Sequence, residues 1–231
     1  MRKLKITILL YILCIANLAT ANIDKDKNQE PKNELSFAFG SAYNIPLPIK
    51  IKQAEEQDIK FTAKYSTKPF SSPPYYHIRY SRWNDDKAWE IELIHHKLYL
   101  KNNPKDVQAF TITNGYNLIF INRAYRTKLT ENIPFIWRIG AGPVVTHPES
   151  IVRGKKFDEK GGLRWIDTDG YFVSGLAAQG AVELDYTLYK NLKAYAEGKI
   201  SGSFATVPIH SGRADVYNIS THFLAGVKYA F

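Results

Sequence analysis

Cysteine is all but missing from this chain: its only one, Cys14, lies in a segment that reads as removable. Met1-Arg2-Lys3-Leu4-Lys5 is basic, Ile6 to Leu18 is nearly all apolar, and Ala19-Thr20-Ala21 has the small-residue pattern of a cleavage site. That is the layout of a secretory signal peptide over 1–21. No small residue precedes Cys14, so a lipidated cysteine is not expected. The remaining chain, without cysteine, excludes disulfide frameworks, thiolate metal sites and cysteine nucleophiles together. No later apolar run approaches the ~18 residues that a helical membrane span needs. Gly140-x-Gly142 lacks the third glycine of a dinucleotide fingerprint and falls in a strand-like stretch, so neither NAD nor a flavin is expected. There is no internal repeat.

What is present is positive charge and aromatic surface. The formal charge is +9, and Arg2, Lys3 and Lys5 leave with the signal peptide. For an exported protein such a balance points to lipid or polysaccharide phosphates, and nucleic acid is not an expected partner. The mean hydropathy of −0.30 suits a soluble protein, yet a membrane barrel hides its apolar band from such averages by alternating its two faces.

Residues 22–33 (NIDKDKNQEPKN) have nothing to bury and read as a flexible lead-in. From Glu34 the texture becomes period two. Leu35, Phe37 and Phe39 alternate with small residues, Ile59 and Phe61 with Lys60 and Thr62, and Ala194, Ala196 and Gly198 with Tyr195, Glu197 and Lys199. Sustained alternation is the strand signature, and no helical period competes with it. The chain ends on such a strand, with Phe231 last and Tyr229 two before it, resembling the signal by which outer-membrane barrels engage their assembly machinery. Fifteen tyrosines, twelve phenylalanines and four tryptophans suit the aromatic girdles of a transmembrane barrel better than a soluble sandwich.

The expected fold is therefore all-β, a single antiparallel outer-membrane β-barrel over 34–231, with 8–10 strands. Both termini in the periplasm require an even number. The segment 107–126 decides between the two: Asn114-Gly115 is a strong hairpin signal, and reading it so makes ten strands, slightly favoured over eight.

Within a barrel, charged strand residues face the lumen, because a charge on the lipid face costs about 2–4 kcal/mol at the midplane. His77, Arg79, Arg138, Glu197, Lys199, Ser201 and His222 are so placed. A polar plug of Glu, Lys and Arg with no catalytic role accounts for any one of them equally well. Glu90 and Glu92 also point inward, but the same register sends His95, Lys97 and Tyr99 outward. A bulge near Leu93-Ile94 would turn them back into the lumen; without it Lys97 must snorkel from the rim. His147-Pro148-Glu149 opens the longest expected loop (143–169), where a histidine and a carboxylate two apart can share a divalent cation. Arg153, Lys155, Lys156 and Arg164, with Trp165, give that loop a basic rim suited to phosphorylated lipid.

Trp89-x-x-Glu92-x-x-His95-x-Lys97-x-Tyr99, Phe110-Thr111-x-Thr113-Asn114-Gly115-x-Asn117, Gly140-x-Gly142, His147-x-Glu149, Glu197-x-Lys199 and the terminal Phe231 occur in this order. The series, over about 75–231, resembles the outer-membrane lipid A oxidase family. The resemblance implies a barrel that oxidises the proximal glucosamine of lipid A to an aminogluconate unit, with molecular oxygen as acceptor and hydrogen peroxide as co-product. It makes His95, Glu92, Lys97, Glu197 and Lys199 catalytic candidates. Arg79, Asn117, Arg138, Arg153, Lys155 and Lys156 are candidates for substrate binding, and His147 and Glu149 for a divalent metal relay. Asn114 stands where an acidic residue is expected, and His96 is an extra histidine.

Two rivals stay open at this stage. A lipid A deacylase would use a Ser/His pair, either Ser220 with His222 or, less well placed, Ser211 with His210. A non-catalytic barrel, adhesin or structural surface protein, would use its lumen charges for stability alone.

Overall fold

The computed structural model describes residues 32–130, 133–158, 161–163 and 170–231. The segment 1–21 expected to be a signal peptide, nearly all of the expected lead-in, Arg164 and Trp165 lie outside them. The elements are β1 (Asn33–Asn44), β2 (Leu47–Gln53), β3 (Ile59–Ala63), β4 (Tyr65–Ser66), β5 (Tyr76–Asn84), β6 (Lys87–Leu100) and β7 (Val107–Thr130). They continue as β8 (Ile133–Thr146), β9 (Glu149–Val152), β10 (Lys155–Lys156), β11 (Phe172–Tyr189), β12 (Leu192–Ile209) and β13 (Gly212–Ala230).

Eight of them close a ring. β1 pairs with β5, β5 with β6, β6 with β7, β7 with β8, β8 with β11, β11 with β12, β12 with β13, and β13 again with β1, every pairing antiparallel. Closure satisfies every edge, which is what a strand structure in lipid requires. The remaining short strands extend the wall at one end: β2 continues β1 along β13 and turns back as β3, β4 pairs with the end of β6, and β9 and β10 form a hairpin on β7. Asn33, the start of β1, and Phe231 lie at the opposite end with the tight turns 85–86 and 190–191, which makes that end periplasmic and the extended end extracellular.

The favoured count of ten gives way to eight. Asn114-Gly115 does not turn the chain; it sits inside one strand of 24 residues. Thr113–Gly115 stand opposite Lys97 alone, since His96 pairs with Tyr116 and Leu98 with Ile112. Gly115 takes φ +136°, and a Cβ there would meet the Asn117 side chain at 2.2 Å, so the glycine serves a bulge and not a hairpin. β12 and β13 are joined by a two-residue turn at 210–211.

The wall's polarity inverts along its height. In the lower part the outer face is apolar and exposed, with Phe39, Trp89, Ile91, Ile121, Ile139 and Phe223 each at least half accessible. The inner face there is charged. In the upper part the interior is an ordinary apolar core of Ile49, Ile51, Leu98, Phe110, Ile112 and Val207, while Lys50 and Asp58 pair in the open outside, 2.9 Å apart. Lipid surrounds the first part and water the second. An even-stranded antiparallel barrel with this outer band is a protein of the bacterial outer membrane.

The charged interior is a lattice. Arg79 binds Glu197 at 2.6 Å and also Glu183; Arg138 binds Glu90 at 2.9 Å and Glu183 at 3.1 Å, and also Glu197. Lys199 lies between Glu92 and Glu197, and Lys228 between Glu183 and Asp185. Removing one member strands its partners in a dry interior. Arg138→Leu is therefore expected to destabilise the barrel by about 3–5 kcal/mol, read as a lower urea midpoint for loss of the folded, heat-modifiable band. An unchanged midpoint would mean that the lattice is not what holds the interior.

Candidate functional site on the outer wall

The residues singled out by resemblance divide into two groups. Glu92, Glu197, Lys199, Arg79 and Arg138 are all lattice members, between 0 and 4% exposed. Each is committed to opposite charges, which assigns them to holding the lumen shut.

The second group meets on the outside. β6 makes no register shift at Leu93-Ile94, so the bulge expected there is absent and His95, Lys97 and Tyr99 do not enter the lumen. The irregularity lies further on, opposite Lys97, and its two extra residues in β7 leave the faces of both strands unchanged. Inward-facing Tyr116 and Leu118 belong to the apolar core, so Asn117 between them faces out, as does its cross-strand neighbour His95. Tyr76, opposite His95 on the other side, stacks on its ring at 5.0 Å and 11°. One step up, Tyr99, Thr111 and Glu149 form a second outward row across β6, β7 and β9.

The bulge links the rows. Asn114 and Thr113 donate to Glu149 Oε1 at 2.9 and 3.3 Å. The Gly115 carbonyl accepts from the His147 backbone N–H at 2.9 Å. Tyr171 donates its hydroxyl to the Asn114 carbonyl at 3.1 Å and packs edge-on against the His147 ring at 4.7 Å. Lys97 is spent on structure: its ammonium is caught by the carbonyls of Lys68, Ser71 and Pro73 at 3.2, 2.8 and 2.8 Å. Neither the bulge nor snorkelling from the rim accounts for it: the ammonium stays buried and holds the 68–73 segment by its carbonyls.

His95 is the chemically pointed member. Its Nδ1 lies 2.9 Å from Asn117 Oδ1, and an amide oxygen can only accept, so Nδ1 carries the proton and Nε2 presents a lone pair. That Nε2 is buried without a hydrogen-bond partner, on a side chain only 5% exposed. From Lys87 to His95 the strand rises about 26 Å, or roughly 20 Å of height at a barrel's usual tilt, near the outer edge of an apolar band about 25 Å tall. The site lies in the outer half of the wall.

The other candidates sit elsewhere. Arg153 latches the β2–β3 hairpin, donating to Gln53 Oε1 at 3.0 Å and the Gln57 carbonyl at 2.7 Å, while Lys155 and Lys156 are exposed on β10. His147 and Glu149 gather no third ligand: among the described residues the one trio with ligand atoms within 4.8 Å is His77, Glu92 and Glu197. Arg79, Arg138 and Lys199 already neutralise those two carboxylates, which disfavours a cation there. The deacylase pairing does not form. Ser220 donates to Asn44 and Asn218, and His222 meets Ser201 and Tyr75, each at 2.8 Å, in a fully buried cluster without a carboxylate. Ser211 and His210 form the exposed β12–β13 turn. Tyr76 and Tyr171 were missed by sequence reasoning; neither carries a local signal, because their partners come from other strands.

No family's sequence pattern and no curated protein matches this chain. Among solved structures, Neisserial surface protein A resembles it at 10% identity and TM-score 0.47, covering 88% of this chain and 100% of its own. Ail, the attachment invasion locus protein of Yersinia pestis, does so at 11% and 0.36, covering 87% and 100%. The outer membrane protease OmpT of Escherichia coli does so at 9% and 0.44, covering 91% and 99%. These are likenesses of barrel architecture at low scores, and they bring no function with them.

If the bulge organises the site, Gly115→Val forces a β-branched residue into φ +136° against Asn117, costing about 1–3 kcal/mol and displacing Asn117 from His95. The check is the histidine ring signals in NMR of the folded barrel: those of His95 and of His147, whose backbone N–H bonds the Gly115 carbonyl, should shift, while that of His77 in the lumen stays in place. A spectrum identical to wild type would remove the bulge from the argument.

Proposed function

We propose that this barrel is a lipid A-modifying enzyme whose site is the outer wall around His95, Asn117 and Tyr76, not the lumen. The observation that carries the reading is the placement of His95, Asn117, Asn114 and Glu149, from three strands, and of His147 in the β8–β9 connection, together on the outer side of the wall. An aromatic ring beside a histidine acceptor suits a sugar headgroup: Tyr76 offers a stacking face, and His95 Nε2 can take a hydroxyl proton. Lipopolysaccharide is the sugar-bearing lipid of the outer leaflet.

The particular reaction follows from the family resemblance: oxidation at the anomeric carbon of the proximal glucosamine. The carbon gives up a hydride equivalent and its hydroxyl a proton, the latter to His95. Dioxygen takes the two electrons and two protons and leaves as hydrogen peroxide, and water opens the lactone to the aminogluconate unit. A divalent cation would draw on Glu149 and His147, and two protein donors fall short of a coordination shell.

The test is mass spectrometry of lipid A from a heterologous outer membrane with and without the protein, in air and without oxygen. A gain of one oxygen on the proximal sugar, in air only, is expected. His95→Ala and Asn117→Ala should lower it by about 10²-fold or more with the barrel still folded, whereas Lys97→Gln should act through stability. Loss of an acyl chain would point to deacylation. Unchanged lipid A would favour a non-catalytic surface barrel.

A further inference from the structure

The opposite end of the wall holds a second site, unrelated to lipid A. Arg82, Trp89 and Arg123 are direct cross-strand partners on β5, β6 and β7, and all three face outward, because their neighbours Ser81, Glu90 and Asn122 are buried inside. Trp89 is 61% exposed, and the Arg123 guanidinium lies over its ring at 5.1 Å. With Lys32, Trp83 and Lys87 they line a cavity of about 270 Å³. Trp89 is three residues from the 85–86 turn, so the cavity lies at the periplasmic edge of the apolar band.

Its charge is one-sided. Arg126 and Lys193, at the same end, each bind Glu34 at 3.2 Å. Among the described residues Lys32, Arg82, Lys87 and Arg123 enter no ion pair, and no acid lines the cavity. Cations that a protein leaves uncompensated around a concavity, at the height of lipid headgroups, call for an anion from outside. Two guanidinium forks beside a tryptophan suit a phosphodiester whose acyl chains continue up the apolar wall.

We propose that this cavity binds the phosphate headgroup of a phospholipid in the periplasmic leaflet. The site is set by the Arg82–Trp89–Arg123 row, with Lys32 and Lys87 closing it from below. Bound lipid would fix the barrel's depth and rotation in the membrane, and the lipopolysaccharide of the far leaflet cannot reach it.

The folded full-length mature barrel in nonionic detergent, titrated with phosphatidylglycerol, with diacylglycerol or with inorganic phosphate, is read by native mass spectrometry. One phosphatidylglycerol retained per barrel, with neither diacylglycerol nor inorganic phosphate held at the same concentration, is the expected result. R82Q/R123Q should weaken retention at least tenfold, R82K/R123K less, and K50Q at the far end not at all. Should the double variant fail to give the heat-modifiable folded band, the single R82Q and R123Q variants carry the comparison. Equal retention by wild type and glutamine variants overturns the proposal, and so does diacylglycerol held as tightly as phosphatidylglycerol. Inorganic phosphate bound as tightly as the lipid would make this a free-anion site and overturn the headgroup assignment.

Discussion

The structure depends on closing a ring of strands around buried charge. Closure leaves no backbone edge in the lipid, but a narrow ring must then fill its own interior. Arg79, Arg126, Arg138, Lys193, Lys199 and Lys228 stand against Glu34, Glu90, Glu92, Glu183, Asp185 and Glu197, matched in number. Each charge would be costly alone in that space; together they are mutually satisfied. In a lumen so committed the charges are spent on one another.

The wall in turn has two working heights. Near the extracellular end, a glycine-dependent bulge in β7 spreads the strand and brings Asn114 to Glu149 while leaving Asn117 on His95. Near the periplasmic end, unpaired cations surround a tryptophan. Between them lies the apolar band, and above it the barrel becomes an ordinary water-soluble β structure with a greasy core. The change in what fills the interior follows from what surrounds the exterior: a strand facing lipid puts its polar residues inside, and the same strand facing water puts them outside.

Much of the fold was legible because alternation is a local property. Leu35, Phe37 and Phe39 announce a strand without reference to any partner, and the terminal Phe231 strand and aromatic content place it in a barrel. The strand count was less legible. Asn114-Gly115 reads as a hairpin by local preference, and only pairing with both β6 and β8 reveals a bulge in a continuous strand. The same limit applied to His95 and Lys97, whose outward register looked too costly for lipid until Lys97 found the carbonyls of Lys68, Ser71 and Pro73.

By itself, then, the sequence determined the membrane barrel and which side chains are inward in the lower wall, since period two depends only on neighbours along the chain. Tertiary structure decided which charges pair, where the ring closes, and that the polar candidates divide between a sealed lumen and the outer wall. Those outcomes depend on cross-strand register, which places Tyr76 on His95 and Thr111 beside Glu149 across gaps in sequence that no local pattern encodes.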